Sequence, residues 1–372
     1  MSLGLAITPY RLPLRRPWHS ARGRLTTRQG WLISASLDGV TGYGDCAPLP
    51  AAGTEDATAA QRQLAHWLAV ADGLAGGNAP AALLDLLAQP RRSPAPAADC
   101  GVETALLDLQ ARLGGQPLRR LLAGDALDCI AVNGVLGAAA TLTPQQAADA
   151  VATRGWQVLK LKLGVAPHGQ ELERLRRAAD WLPEGVTLRL DANGAWDGDT
   201  AAAVVAGLNG LPVDALEEPL AEPTDAALAA LQAQAAFSLA LDESLADRPR
   251  PMDADSIPVR RLVLKPAVIG GLRPALRLAR AARASAREVV LTSIVESAAG
   301  LWATAQLAAA TGSPLAHGLA TADWLATDLG PAPAISRGHV RLPDSAGSGF
   351  RPGRWQADDS AERPAGDQLA GM

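Results

Sequence analysis

Trp156-Gln157-Val158-Leu159-Lys160-Leu161-Lys162-Leu163-Gly164 alternates leucine with lysine. Successive strand side chains point to opposite faces, so Lys160 and Lys162 share one face and the leucines take the other. Alone, the pattern also fits an edge strand with a solvated lysine face. The stretches that follow narrow it. Leu188-Arg189-Leu190-Asp191, Val213-Asp214-Ala215-Leu216-Glu217 and Ser238-Leu239-Ala240-Leu241-Asp242 each end in an acid, and Arg261-Leu262-Val263-Leu264-Lys265 ends in a lysine. The steps from Lys162 through Asp191, Glu217 and Asp242 to Lys265 are 29, 26, 25 and 23 residues. Each is close to one strand–helix repeat, so the five groups should stand at equivalent levels of five consecutive strands.

Working outward, apolar runs recur near 130–136, 157–163, 186–191, 213–217, 237–242, 260–265, 288–294 and 314–319, with Ala/Leu/Arg-rich helical stretches between them. Eight such units predict a (β/α)8-type barrel, a modified TIM barrel, over 99–330, and barrel active sites lie at the C-terminal ends of the strands. A doubly wound sheet is the alternative, but no Gly-rich dinucleotide turn follows the first strand. Residues 1–98 read as a separate α+β domain. It has strands over Leu3–Leu14 and Trp31–Leu37, an Asp38-Gly39 turn and a helix over Glu55–Val70. A Pro-rich break at Pro90–Pro96 separates it from a helix over Gly101–Leu113. The tail, 331–372, has one expected strand, His339–Leu342, and a last dozen residues expected to be disordered.

Composition limits the function classes. Of 372 residues 48% are hydrophobic and 19% charged, a globular profile, and the net charge of −4 gives no basic footprint for nucleic acid. Three cysteines and no secretion-signal layout in the first twenty residues point to a reduced, cytoplasmic setting. Ala298–Gly312, apolar but short, reads as a buried helix and not as a membrane span. Oligomeric state is not written in the sequence. Lysine and arginine total 34, yet only Lys160, Lys162 and Lys265 are lysines. Arginine serves wherever a fixed charge suffices, whereas lysine can give up its proton when crowded or buried.

Three converging carboxylates need neutralising. One of them alone would read as a helix N-cap after a strand. Three at matched spacing, flanked by lysines, point to a hard divalent cation with oxygen ligands, Mg²⁺ with Mn²⁺ able to substitute, and no His/Cys set at zinc spacing competes. Such a cation on a substrate carboxylate acidifies the adjacent C–H. Lys162, with Lys160 beside it, is the candidate base, and Lys265 on the opposite wall is its partner. The indicated chemistry is proton abstraction α to a carboxylate, on a small carboxylate substrate.

At these residues the chain resembles the enolase superfamily, in particular its muconate-lactonizing subgroup, over roughly 5–345. The resemblance implies Asp191, Glu217 and Asp242 as Mg²⁺ ligands, with Lys162 and Lys265 as the acid/base pair. It also makes the first domain a cap, to which the C-terminal segment returns. Gly42-Tyr43-Gly44-Asp45-Cys46-Ala47-Pro48 is similar to the cap loop that closes over substrate, with Asp45 where Glu is usual. Within the subgroup, Thr292-Ser293-Ile294-Val295-Glu296-Ser297 and His317-Gly318-Leu319-Ala320-Thr321 are similar to o-succinylbenzoate synthases of menaquinone biosynthesis, with Thr292 where Ser is familiar. This implies Thr292, Ser293 and Gly318 as substrate contacts, and dehydration of 2-succinyl-6-hydroxy-2,4-cyclohexadiene-1-carboxylate as the reaction. Muconate cycloisomerases, N-succinylamino-acid racemases and dipeptide epimerases share the lysine set. Thr321-Ala322-Asp323 lacks the Asp-x-Asp usual in the epimerases. Glu296 is a candidate support for Lys265, and His317 reads as structural. A non-catalytic barrel that only binds would be expected to have lost one of these groups, and none is missing.

Overall fold

The computed structural model describes residues 2–355 apart from 21–22, 75, 89–92, 247 and 249–252, so the last dozen residues lie outside it. Strands β1 (Gly4–Ser20), β2 (Gly23–Leu37) and β3 (Val40–Cys46) form an antiparallel sheet. Asp38 (φ 55°) and Gly39 (φ 79°) turn the chain between β2 and β3, the double left-handed geometry of a tight hairpin. Helices α1 (Ala57–Asp72) and α2 (Ala79–Leu87) follow, α1 capped by the Asp56 side chain on Ala59 N. Helix α3 (Pro96–Leu113) starts five residues earlier than the sequence predicts, because Pro96 sits in its first turn, where no backbone N–H is required.

Almost every α3 residue is buried, so this helix must be packed on all sides. The antiparallel sheet reaches it through two glycines: a Cβ on Gly42 would lie 2.1 Å from Leu109 N, and one on Gly44 2.0 Å from Gly101 O. The two-residue strand period puts both on the face that meets the helix.

After α4 (Leu118–Leu122) the run expected as one strand is split. Strand β4 (Cys129–Ala131) pairs with β13 (His339–Arg341), itself paired with β12 (Ile335–Ser336). The barrel proper begins at β5 (Gly134–Ala138) and continues through β6 (Val158–Lys162), β7 (Thr187–Asp191), β8 (Val213–Glu217), β9 (Ser238–Leu241), β10 (Arg261–Leu264) and β11 (Glu288–Leu291), all parallel and paired in chain order. The helices between are α5 (Pro144–Arg154), α6 (His168–Ala179), α7 (Gly198–Leu208) and α8 (Asp225–Gln234), then the short α9 (Pro266–Ile269) with α10 (Leu272–Ala284), and finally α11 (Ala298–Thr311). Thr143, Asp197, Thr224 and Ser297 cap α5, α7, α8 and α11 with side-chain oxygens on first-turn N–H groups, which sets where each strand-to-helix loop ends.

The eighth strand is not a ladder. Residues 314–319 close the ring through two isolated parallel bridges, Val132 to His317 and Thr292 to Gly318. Their hydrogen bonds include Gly318 N to Leu291 O (2.8 Å) and Asn133 N to His317 O (3.0 Å). The expected (β/α)8-type barrel with an α+β cap is the fold. One continuous apolar core joins Ile33, Leu64 and Trp67 of the first domain to the outward leucines of the barrel strands. The tail lies against α3 and β3: Arg112 donates to Phe350 O (2.8 Å), and the Phe350 ring meets Tyr43 edge-on at 5.5 Å.

Candidate active site

Parallel register sets the level of each polar group. Lys162 lies opposite Asp191 and Asp191 opposite Glu217, while Glu217 pairs with Ala240, two residues before Asp242. Leu159, Leu161, Leu188, Leu190 and Leu216 are fully buried under the helices, so the residues alternating with them face the barrel axis. Lys265 follows β10, and Thr292 follows β11. β6 and β10 are four strands apart in an eight-membered ring, which puts Lys162 and Lys265 on opposite walls.

Lys160 reaches between two of the acids. Its Nζ lies 3.0 Å from Asp191 Oδ2 and donates a short hydrogen bond to Glu217 Oε2, while Lys265 Nζ is 2.7 Å from Asp242 Oδ1. Among the described residues Lys162 has no hydrogen-bond or ion-pair partner, so its amine is free to meet another group. Burial works to lower the pKa of Lys160, but Asp191, Glu217 and Asp242 outweigh it and hold the amine protonated. Lys265 behaves alike: burial lowers, and Asp242 with Glu243 raises by more. Burial pushes Glu217 and Asp242 up, each reinforced by a neighbouring carboxylate and opposed by its lysine. This is a mouth crowded with negative charge and only partly offset by two ammonium groups. Among the described residues no three His, Cys, Asp or Glu side chains stand close enough together to enclose a metal ion.

The later motifs form a neighbouring wall. Thr292 Oγ1 donates to Gly318 O (3.1 Å), and Ser293 Oγ lies 2.5 Å from Thr321 Oγ1. A Cβ on Gly318 would fall 2.4 Å from Thr292 Oγ1, so the two strand ends meet only because residue 318 has no side chain. Glu296 does not support Lys265. It accepts from Ile294 N (2.6 Å) and Thr304 Oγ1 (3.1 Å), with burial raising its pKa to about 6. His317 is entirely buried and its Nδ1 accepts from Leu291 N (3.0 Å), a role in closing the barrel wall; burial lowers its pKa to about 3.

Two features escaped the sequence. Of the Glu217-Glu218 pair, only the first follows the strand alternation. Glu218, at φ 44°, accepts from Asp242 N (2.6 Å) and Ser244 N (3.0 Å) and so fixes the start of the next loop. Below the mouth lies an ionic floor. Asp214 accepts from Arg189 Nε (2.8 Å) and from Arg261 NH1 (2.6 Å) and NH2 (3.0 Å), and Arg261 Nε also reaches Glu288 (2.8 Å). Arg189 NH1 donates to Ala316 O (2.7 Å) and Asn133 Oδ1 (3.1 Å). The alternation that finds Lys160 beneath Lys162 also finds Arg189 beneath Asp191.

The chain has relatives among known proteins. Residues 143–356 match the family described as Enolase C-terminal domain-like, and residues 5–80 match the MenC N-terminal domain. An o-succinylbenzoate synthase of Thermobifida fusca is 34% identical over 65% of this chain and 78% of its own length. A hydrophobic dipeptide epimerase of Roseobacter litoralis is 30% identical over 80% of this chain and 85% of its own. Among solved structures, the muconate lactonizing enzyme from Pseudomonas fluorescens complexed with muconolactone superposes with a TM-score of 0.82 at 25% identity, covering 95% of this chain and 97% of that one. These relatives are lyases and isomerases. With the barrel's family model spanning more than half of the sequence and a second model matching the cap, the chain belongs to the enolase superfamily, in its muconate-lactonizing group.

Proposed function

We propose that the chain is an Mg²⁺-dependent enzyme that removes a proton α to a substrate carboxylate, and that its reaction is the o-succinylbenzoate synthase dehydration. The observation that carries the chemistry is the placement of the only three lysines of the sequence around three strand-end acids. Similarity to a synthase over 65% of the chain, together with the MenC N-terminal match, supports the choice of substrate.

The donor set is of the kind a hard cation takes, and its three carboxylates would have to turn from their lysines to enclose one. Asp191, Glu217 and Asp242 offer only carboxylate oxygens, and the buried Asp242 Oδ1 meets nothing but the Lys265 ammonium. These three would hold Mg²⁺, the ion that members of the superfamily use, and Lys160 and Lys265 now supply the positive charge there. When bound, the cation draws electron density from the substrate carboxylate and acidifies its α C–H. Lys162, unpartnered at its wall, takes that proton. Lys265, held protonated across the mouth, stabilises the negative charge that builds on the carboxylate. The resulting Lys162 ammonium returns its proton to the departing hydroxide, so C–H and C–O bonds break, water leaves and the ring becomes aromatic. Thr292, Ser293 and Gly318 form the wall that contacts the substrate. Soluble cytoplasmic operation belongs to this reading; among the described residues no helix is long and apolar enough to cross a membrane.

The test follows the loss of 2-succinyl-6-hydroxy-2,4-cyclohexadiene-1-carboxylate absorbance with Mg²⁺, beside a Lys162→Arg variant. Turnover abolished by chelator and by the variant is expected. No turnover by folded, Mg²⁺-loaded protein would sink the synthase assignment. Deuterium exchange into N-succinylamino acids or dipeptides, lost in the same variant, would then identify a racemase or epimerase.

A further inference from the structure

The loop after β11, residues 292–297, carries a backbone anomaly. Val295 has φ 63°, and it is the one β-branched residue in the left-handed region among the described residues. A branched Cβ makes that region costly, and such a conformation persists only where its surroundings over-determine it. Here the restraints come largely from the first domain. Arg28 of β2, 2% exposed, donates from Nε to Val295 O (2.9 Å). The same guanidinium donates to Pro48 O (3.0 Å) and Ala47 O (2.6 Å), which ties the end of the cap loop to the barrel loop. Asp45 of β3 accepts from both Ser297 N (2.8 Å) and Ser297 Oγ (2.7 Å), and its other oxygen is held by the Tyr10 hydroxyl (2.6 Å). From the barrel side, Val295 N donates to Ser293 Oγ (3.2 Å). That hydroxyl also meets Thr321.

The strained residue is therefore gripped at its carbonyl by the cap and at its N–H by a proposed substrate contact. We infer that Arg28 and Asp45 are positioning residues: docking of the cap holds Val295 left-handed, and this fixes where Ser293 and Thr292 stand at the mouth. The wall of the site is on this view assembled by the cap and is not a property of the barrel alone. The functional half of the inference rests on the mouth being the active site; the structural half does not.

The test compares wild type, Arg28→Gln, Val295→Gly and the double variant by hydrogen exchange of the amides at 293–297 and by kcat and KM on the cyclohexadiene carboxylate. Arg28→Gln should speed exchange in this loop about tenfold or more and raise KM more than it lowers kcat. Glycine adopts the left-handed conformation without strain. Adding Val295→Gly to Arg28→Gln should therefore recover about tenfold of both the protection and the KM, although it restores none of the bonds of Arg28. Should Arg28→Gln not fold, Arg28→Lys, which keeps one donor, takes its place. A double variant no better than Arg28→Gln, or a loop that stays protected without Arg28, overturns the inference. Exchange that responds as expected while KM does not change overturns the link to the site. If wild type turns over no substrate, the exchange arm still decides the clamp, and the assignment of function fails separately.

Discussion

Asp214→Asn probes the floor of the barrel and can be worked through from distances. Asp214 is the anion between two guanidiniums whose side chains are 2% exposed, with contacts of 2.7 Å to Arg189 NH2 and 2.6 Å to Arg261 NH1. Burial alone would raise its pKa, but Arg189 and Arg261 overcome this and hold it below the usual aspartate value, so the group is charged at neutral pH. At an effective dielectric of about 20 and a charge separation of about 4 Å, each attraction is roughly 4 kcal/mol before the cost of taking the ions out of water. Asparagine keeps the shape and one neutral acceptor, and Glu288 continues to serve Arg261, so part of the two pairings survives. Removing one partner of a buried pair costs about 3–5 kcal/mol, because the other charge is left uncompensated. We expect a loss of that size in urea denaturation followed by circular dichroism at pH 7. Adding Arg261→Met should return part of it, since the second change removes one of the stranded charges; Glu288, 39% exposed, can turn to solvent. A loss under about 1 kcal/mol, or a double variant weaker than the single, would refute the view that this floor is a tightly paired ionic unit.

Two further outcomes follow from the same reasoning. Gly318→Ala places a methyl 2.4 Å from Thr292 Oγ1; forced overpacking of this kind costs about 1–3 kcal/mol, and we expect lower melting temperature and lower kcat/KM, the melting temperature alone partly restored by Thr292→Ala. Glu296 has a pKa near 6 against an ordinary 4.5, raised by burial with Asp45 adding to it. The unfolded chain thus releases this proton before the folded one, so stability falls as pH rises from about 4.5 to 6, by about 2 kcal/mol from this group. Melting temperatures across that window should fall less steeply in Glu296→Gln; an unchanged slope would rule out Glu296 as the source.

The sequence carried the barrel well because its strands are short, inward groups recur on a two-residue period and the repeat is nearly constant. Lys160, Lys162, Asp191, Glu217, Asp242 and Lys265 were legible for that reason. Asp214 was not, since a register shift between β7 and β8 turns it inward, and a bulge leaves no mark on the apolar pattern. The split of the first strand was hidden too. β4 is captured by a segment some two hundred residues later, and nothing local to Cys129–Ala131 announces that partner. The left-handed Val295 is the furthest from the sequence, because valine is among the last residues one would place there; only the bonds from Arg28 and Ser293 account for it.

The scarcity of lysine has a practical side. Every side-chain amine of this protein lies on or just after two strands, β6 and β10, of one barrel, and two of the three amines are already held by carboxylates. Apart from the α-amino group, an amine-selective reagent has no surface site to label. Covalent modification by such a reagent would report directly on who occupies the mouth, and the extent of labelling would fall as cation or substrate fills it. A bulk chemical reaction, usually too indiscriminate to locate anything, becomes an occupancy gauge for a single cavity.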